Sequence, residues 1–204
     1  MKIRVLLAFC ALLPGATPLF CQGGPAIPLE PSVQLSVPDV MLVNQAGEHV
    51  RFNSGVVKGR VAVITSFFTT CSAICPLTEE RLSHLARLLG HHMGKDVVFV
   101  SVSIDPENDT PERMKAWAEK FRVGPGWVLV SGKKDEVTAL LKSLGLYVGR
   151  PQRHQSALII GNQTSGWARV SSWSAPEKLA TVIDRFSAGH PHTGNVSSVS
   201  AGKK

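Results

Sequence analysis

Val61-Ala62-Val63-Ile64-Thr65-Ser66-Phe67-Phe68-Thr69-Thr70-Cys71-Ser72-Ala73-Ile74-Cys75-Pro76 decides the reading of this chain. The near-continuous apolar run over 60–68 predicts a strand covered on both faces. Pro76 fits the first position of a following helix, where its missing N–H costs nothing, so Cys75 is expected to be the N-cap. A thiol there meets the partial positive charge of a helix N-terminus, which favours thiolate. Disulfide exchange and soft-metal binding both require thiolate, and the spacing alone leaves the two open.

Outward from this stretch, elements alternate. On the N-terminal side, 40–43 and 49–52 flank the turn Asn44-Gln45-Ala46-Gly47 and predict a β-hairpin. On the C-terminal side, Leu82, Leu85 and Leu89 give the helix an apolar stripe, and Gly90 ends it. A second buried strand is expected over 97–103, then a helix capped by Thr110 with Pro111 at its first position and running to Phe121. A short strand over 127–130, a helix over 135–144, a hairpin of 157–160 and 168–170, and a helix over 176–186 complete the order. Such alternation predicts an α/β domain, a mixed sheet with helices on both faces. A cysteine pair where the first central strand enters its helix is the thioredoxin arrangement.

Residues 1–21 read as a secretory leader, with Lys2 and Arg4 before the apolar run from Val5 to Leu13. That run is too short to cross a bilayer, which favours a cleaved signal over a retained anchor. Cleavage is expected after Cys21, with Ala16 the alternative; Pro18-Leu19-Phe20 is too bulky for a lipidated Cys21. Residues 22–36, with Gly23, Gly24, Pro25, Pro28 and Pro31, read as a linker, 37–188 as the folded domain, and 189–204 as a disordered tail. The expected location is therefore the periplasm or cell envelope. The leader takes Cys10 and Cys21 with it, leaving Cys71 and Cys75 as the only cysteines of the mature domain. A single pair closing so short a loop gains little loop entropy, so its role is chemical rather than structural. The net charge of +7 is scattered without a basic block or interleaved aromatics, which argues against nucleic acid and leaves steering of an acidic protein partner.

Three segments resemble the Sco (SenC) copper-chaperone family. They are Phe67 to Thr78, similar to its CxxxCP motif; Ser101-Val102-Ser103-Ile104-Asp105-Pro106-Glu107-Asn108-Asp109-Thr110-Pro111-Glu112; and His154 with Ser156 ahead of the strand at 157–160. The likeness runs in the same order over roughly 35–188. It implies a thioredoxin-like domain that binds copper through Cys71, Cys75 and His154. It also implies service in assembling the binuclear copper centre of cytochrome oxidase, whose copper-bearing subunit, or another copper or thiol client, would be the partner. The membrane surface would be met only through that client. One departure stands out: Arg153 occupies the place where the family usually has Asp. A cation there would weaken binding of another cation and favour thiolate.

The donor chemistry agrees with the resemblance. Two thiolates and an imidazole suit Cu(I), and the imidazole makes Cu(II) tolerable. A closed zinc site would want a fourth ligand, and the mature domain has no further cysteine. Asp105 is either a group that hydrogen-bonds near the metal or a turn former ahead of Pro106. Against the metallochaperone stands an exported thiol–disulfide oxidoreductase that needs no metal, with Cys71 and Cys75 as its redox pair; the two roles are compatible. Its usual Cys-x-x-Cys spacing is one residue shorter than the spacing here. A peroxiredoxin-like peroxidase is disfavoured because Phe68 stands where its proline would be, seven residues before Cys75.

Overall fold

The computed structural model describes residues 35–150 and 157–187. The leader, most of the linker, the tail and the segment holding Arg153, His154 and Ser156 lie outside the described residues.

Among the described residues, seven strands and four α-helices follow in the order β1 (Met41–Asn44), β2 (His49–Arg51), β3 (Val61–Phe67), α1 (Ile74–Leu89), β4 (Val97–Ser103), α2 (Pro111–Lys120), β5 (Trp127–Ser131), α3 (Lys134–Ser143), β6 (Ala157–Asn162), β7 (Gly166–Ser171) and α4 (Pro176–Phe186). They build one mixed sheet in the order β2-β1-β5-β4-β3-β6-β7. The central β3, β4 and β5 are parallel, while β1–β2, β1–β5, β3–β6 and β6–β7 pair antiparallel. This is the thioredoxin-like plan with the N-terminal hairpin added at one edge.

All seven residues of β3 and all seven of β4 are buried, as their apolar runs require. Alternate β3 side chains serve two core layers. Val61, Val63 and Phe67 meet Leu82, Leu85 and Leu89 of α1, Met114 and Trp117 of α2, and Leu179 and Ile183 of α4. Ala62 and Ile64 meet Phe52 and Val57 and the Val137, Leu140 and Leu141 stripe of α3. Each fully buried leucine of α1 contributes about 1.5–3 kcal/mol by its transfer from water, so the helix is held to the sheet chiefly by this stripe. Its N-terminus is thereby fixed over the end of β3.

Most sequence-derived boundaries hold to within a residue or two, and Thr110 caps α2 by accepting the Arg113 N–H at 3.4 Å, with Pro111 in the first turn. The start of α1 differs. The N-cap is Ala73 and the helix begins at Ile74, so Cys75 lies inside the first turn and Pro76 is its third residue. Proline is tolerated there because first-turn N–H groups have no intrahelical acceptor anyway. The β6–β7 strands also run closer to their turn than the alternation indicates. Gly161 pairs with Trp167 and Asn162 with Gly166, and a Cβ on Gly161 would collide with the Gly166 carbonyl. The π-helical turn Phe52–Val57, which buries Phe52, Val56 and Val57, carries no periodic signal and is visible only in the structure. Among the described residues no helix is long and apolar enough to cross a membrane.

Candidate metal centre

The chain leaves β3 at Phe67 and enters α1 at Ile74; Cys71 lies in this crossing and Cys75 in the first turn of α1. The Cys71 N–H donates to the Phe68 carbonyl at 3.1 Å, which turns the chain, and the Cys75 N–H donates to Cys71 Sγ at 3.4 Å. Both thiols are free; Cys71 is half-buried and Cys75 is 1% exposed, packed into the α1 side of the core.

Burial and hydrogen bonding divide the pair. At Cys71 partial desolvation raises the pKa, but donation from the Cys75 thiol and from the N–H groups of Cys75, Ala73 and Ile74 outweighs it and holds the thiol below its usual value. Cys75 is driven far up, first by burial, then by its bond to Cys71 and by negative charge on Cys71 and Glu79. The crossing therefore offers one reactive, reachable sulfur and one sheltered sulfur that keeps its proton until something takes it. That asymmetry serves attack on a disulfide and stepwise loading of a soft ion equally well.

Two buried carboxyl groups frame the crossing, and the sequence reading singled out neither. Asp109, 1% exposed, accepts the Thr69 N–H at 2.9 Å and the Thr69 hydroxyl at 2.6 Å on one oxygen, and the Ser103 hydroxyl at 2.6 Å on the other. It thus ties the residue two before Cys71 to the end of β4. Burial raises its pKa, opposed by the bonds from Ser103 and Thr69. Glu79 sits one helical turn after Cys75, also 1% exposed. Its Oε1 accepts from the Ser101 hydroxyl at 3.2 Å, which in turn accepts the Trp127 indole N–H at 3.1 Å. Oε2 makes no well-formed hydrogen bond. Desolvation pushes this acid up to about 8, opposed by the Ser101 hydroxyl and the Trp117 indole.

Asp105 is part-buried, and both of its carboxylate oxygens accept from the Asn108 amide, at 3.0 and 2.9 Å. Its N–H donates to Ser103 Oγ at 3.0 Å, so it shares a partner with Asp109. Among the described residues no three His, Cys, Asp or Glu side chains are grouped to hold a metal. His154 belongs to the segment outside them. A surface cleft of about 470 Å³, lined in part by Lys58, Arg60, Asn162 and Phe186, opens near the start of β3, the end of that strand remote from the cysteines.

The SCO1/SenC family model matches residues 32–166, which contain the cysteine crossing and the β4–α2 loop. The chain belongs to the SCO1/SenC family. A SCO1 homologue of Bacillus subtilis is 31% identical over 125 residues, covering 57% of this chain and 63% of that protein. Matches to several further curated relatives span about half of those proteins' length. Among solved structures, a SCO1/SenC family lipoprotein from Bacillus anthracis superposes with a TM-score of 0.66 at 25% identity, covering 78% of this chain and 98% of that one. BsSco, described with a disulfide switch and as a member of the Sco family of cytochrome c oxidase assembly proteins, gives 0.66 at 24% identity, with 78% and 97% covered. Copper-bound ScoI of Bradyrhizobium japonicum gives 0.60 at 24%, with 72% and 96% covered. These last two likenesses speak to the fold, which is the thioredoxin-like fold of Sco proteins.

Proposed function

We propose that this chain is an exported copper-handling assembly factor that supplies copper, reducing equivalents or both to the binuclear copper site of a respiratory oxidase. Copper is its cargo, and Cys71, Cys75 and His154 are the residues that would hold it. The reading is carried by one observation: Cys71 and Cys75 meet as free thiols at the mouth of α1, with the Cys75 N–H on Cys71 Sγ at 3.4 Å. Family membership and the copper-bound relative support copper as the ion. Two thiolates from one helix mouth are the donor type that Cu(I) selects. The leader over 1–21 and the linker over 22–36 support export and leave 37–188 as the working domain.

A second reading, a thiol–disulfide oxidoreductase of the cell envelope, is favoured by the division of acidity between the two thiols. The readings exclude each other only in one state, because an oxidised pair has no thiolate to offer copper. Anaerobic copper titration of the reduced protein, with the oxidised form as control, tests the proposal. Dialysis and metal analysis are expected to give one tightly held copper per reduced chain and far less on the oxidised one. Equal stoichiometry in both forms would overturn it.

A further inference from the structure

Beyond the reachable thiol of Cys71, the start of α1 carries a set of exposed side chains. Ala73, between the two cysteines, is exposed, and Leu77 one turn on is 43% exposed. Another turn on, Arg81 donates to the Leu77 carbonyl at 3.4 Å and stacks its guanidinium 4.8 Å from the centre of the Trp173 ring. Trp173 is 51% exposed, the most exposed of the large apolar side chains among the described residues. It belongs to the β7–α4 connection, which is pinned to α1 by the buried Thr78–Ser172 hydroxyl pair at 3.3 Å. The indole is therefore held in place while showing half its surface to solvent.

Ala73, Leu77 and Arg81 recur every fourth residue and so form one stripe down α1, bordered by Trp173. An exposed tryptophan stacked by an arginine is the composition that dominates binding energy at protein interfaces. Arg81 makes no ion pair among the described residues, so its charge is available to a carboxylate. Aliphatic surface, an anchored aromatic ring and an uncompensated cation together fit an acidic, apolar-flanked protein segment.

We propose that the Ala73–Leu77–Arg81 stripe with Trp173 is the docking surface for a protein client that carries carboxylate and apolar side chains beside its own cysteine. The client's apolar residue lies on Leu77 and the indole, and its carboxylate meets Arg81. Its sulfur is thereby delivered to Cys71. The identity of the occupant rests on the thiol and copper role proposed above.

The test uses three synthetic peptides of equal length. Each has one cysteine held in a disulfide with 2-nitro-5-thiobenzoate and flanked by leucine plus glutamate, glutamine or lysine. The Cys71 thiolate attacks the peptide sulfur, forming a mixed disulfide and expelling coloured 2-nitro-5-thiobenzoate. Cys75, losing its proton, then attacks Cys71 Sγ and releases the peptide thiol. The protein dithiol is oxidised by two electrons, and the peptide disulfide is reduced to two thiols.

At low salt the reduced full chain is expected to react about tenfold faster with the acidic than with the basic peptide, a preference that collapses at high salt. Arg81→Gln should cut the acidic-to-basic ratio severalfold. Lys58→Gln, the same charge change near the start of β3, should preserve the ratio. Trp173→Ala should remove the advantage of the leucine-flanked acidic peptide over a fourth peptide in which glycine replaces the leucine. Ratios within each variant cancel any change in intrinsic thiol reactivity.

Equal rates for the three peptides would overturn the proposal, as would a preference that Arg81→Gln leaves intact or Lys58→Gln lowers equally. A dimer seen by sedimentation and dissolved by Trp173→Ala would also overturn it, assigning the surface to a second copy of this chain. Copper titration of the same preparations separates the two readings. Copper binding without peptide selectivity removes the docking surface alone, and selectivity without copper binding removes the metal role alone.

Discussion

Asp109 grips Thr69 twice through one oxygen, taking its N–H at 2.9 Å and its hydroxyl at 2.6 Å, across 40 residues of chain. The grip fixes the loop that carries Cys71, because Thr69 is held at one side of that residue and α1 at the other. Asp109→Ala leaves the Thr69 N–H and the Ser103 hydroxyl without their acceptor, at a cost of about 2–4 kcal/mol for buried donors. Asp109→Asn keeps an acceptor for Thr69 and should lose less. Urea unfolding measures the stability, and the Cu(II)–thiolate absorption reads the geometry of the cysteine loop. A shifted or broadened band in Asp109→Ala, restored in Asp109→Asn, is expected; an unchanged band in both would confine Asp109 to stability.

The two thiols should differ sharply towards alkylation. Cys71 is half-buried with its pKa held down, and Cys75 is 1% exposed with its pKa driven up. Alkylation proceeds through the thiolate, so a single modification at Cys71 is expected first, with its pH midpoint below the ordinary thiol value. Cys75 should react far more slowly in the folded chain, the combined effect of lost access and of burial that keeps its thiol protonated. Peptide mapping after brief iodoacetamide treatment reads both rates. Modification of Cys75 ahead of Cys71 would reverse the proposed division of labour.

Glu79 makes stability depend on pH. Burial lifts its pKa from an ordinary 4.5 to about 8, so over that interval the unfolded chain is ionised at this position and the folded chain is protonated. The unfolded state then binds fewer protons, and stability falls as pH rises. This contribution is whole below the unfolded value and is lost by the time pH passes the folded one. The slope is about 1.4 kcal/mol per pH unit at its steepest. Urea midpoints at pH 5, 6, 7 and 8 should decline for the parent and flatten for Glu79→Gln, which is neutral throughout and keeps an acceptor for Ser101. A decline of the same slope in the variant would place its source elsewhere.

The strands and helices that bury apolar side chains were legible because periodicity reports burial directly: β3, β4 and the leucine stripe of α1 stand in the structure as their residues demand. Thr110 and Pro111 were legible for a local reason, the cap and the first turn being adjacent in sequence. Asp109 and Glu79 were not. Each is an acidic residue in a polar-looking run, and its burial depends on partners far along the chain, Thr69 for one and Ser101 for the other. The start of α1 was misplaced because proline is acceptable anywhere in a first turn, so Pro76 bounds the helix without fixing its first residue. Trp173 gave no signal either, since its place against α1 follows from the Thr78–Ser172 bond across the fold.

His154 is the third donor in the proposed copper set, and its replacement separates the two oxidation states. Thiolate suffices for Cu(I), which accepts low coordination by soft sulfur, whereas Cu(II) is the harder ion and gains from imidazole. His154→Ala should therefore retain one Cu(I) per reduced chain, with affinity lowered by about tenfold, while Cu(II) binding falls by much more. Competition against a Cu(I) chelator under anaerobic conditions measures the first. The visible Cu(II)–thiolate band, titrated in parallel, measures the second. Arg153, the neighbour that departs from the family's usual Asp, offers an internal comparison: Arg153→Asp removes a cation beside the proposed ligand and should tighten both ions. An unchanged Cu(II) band in His154→Ala would remove His154 from the set and leave the two cysteines to hold copper with a donor from elsewhere.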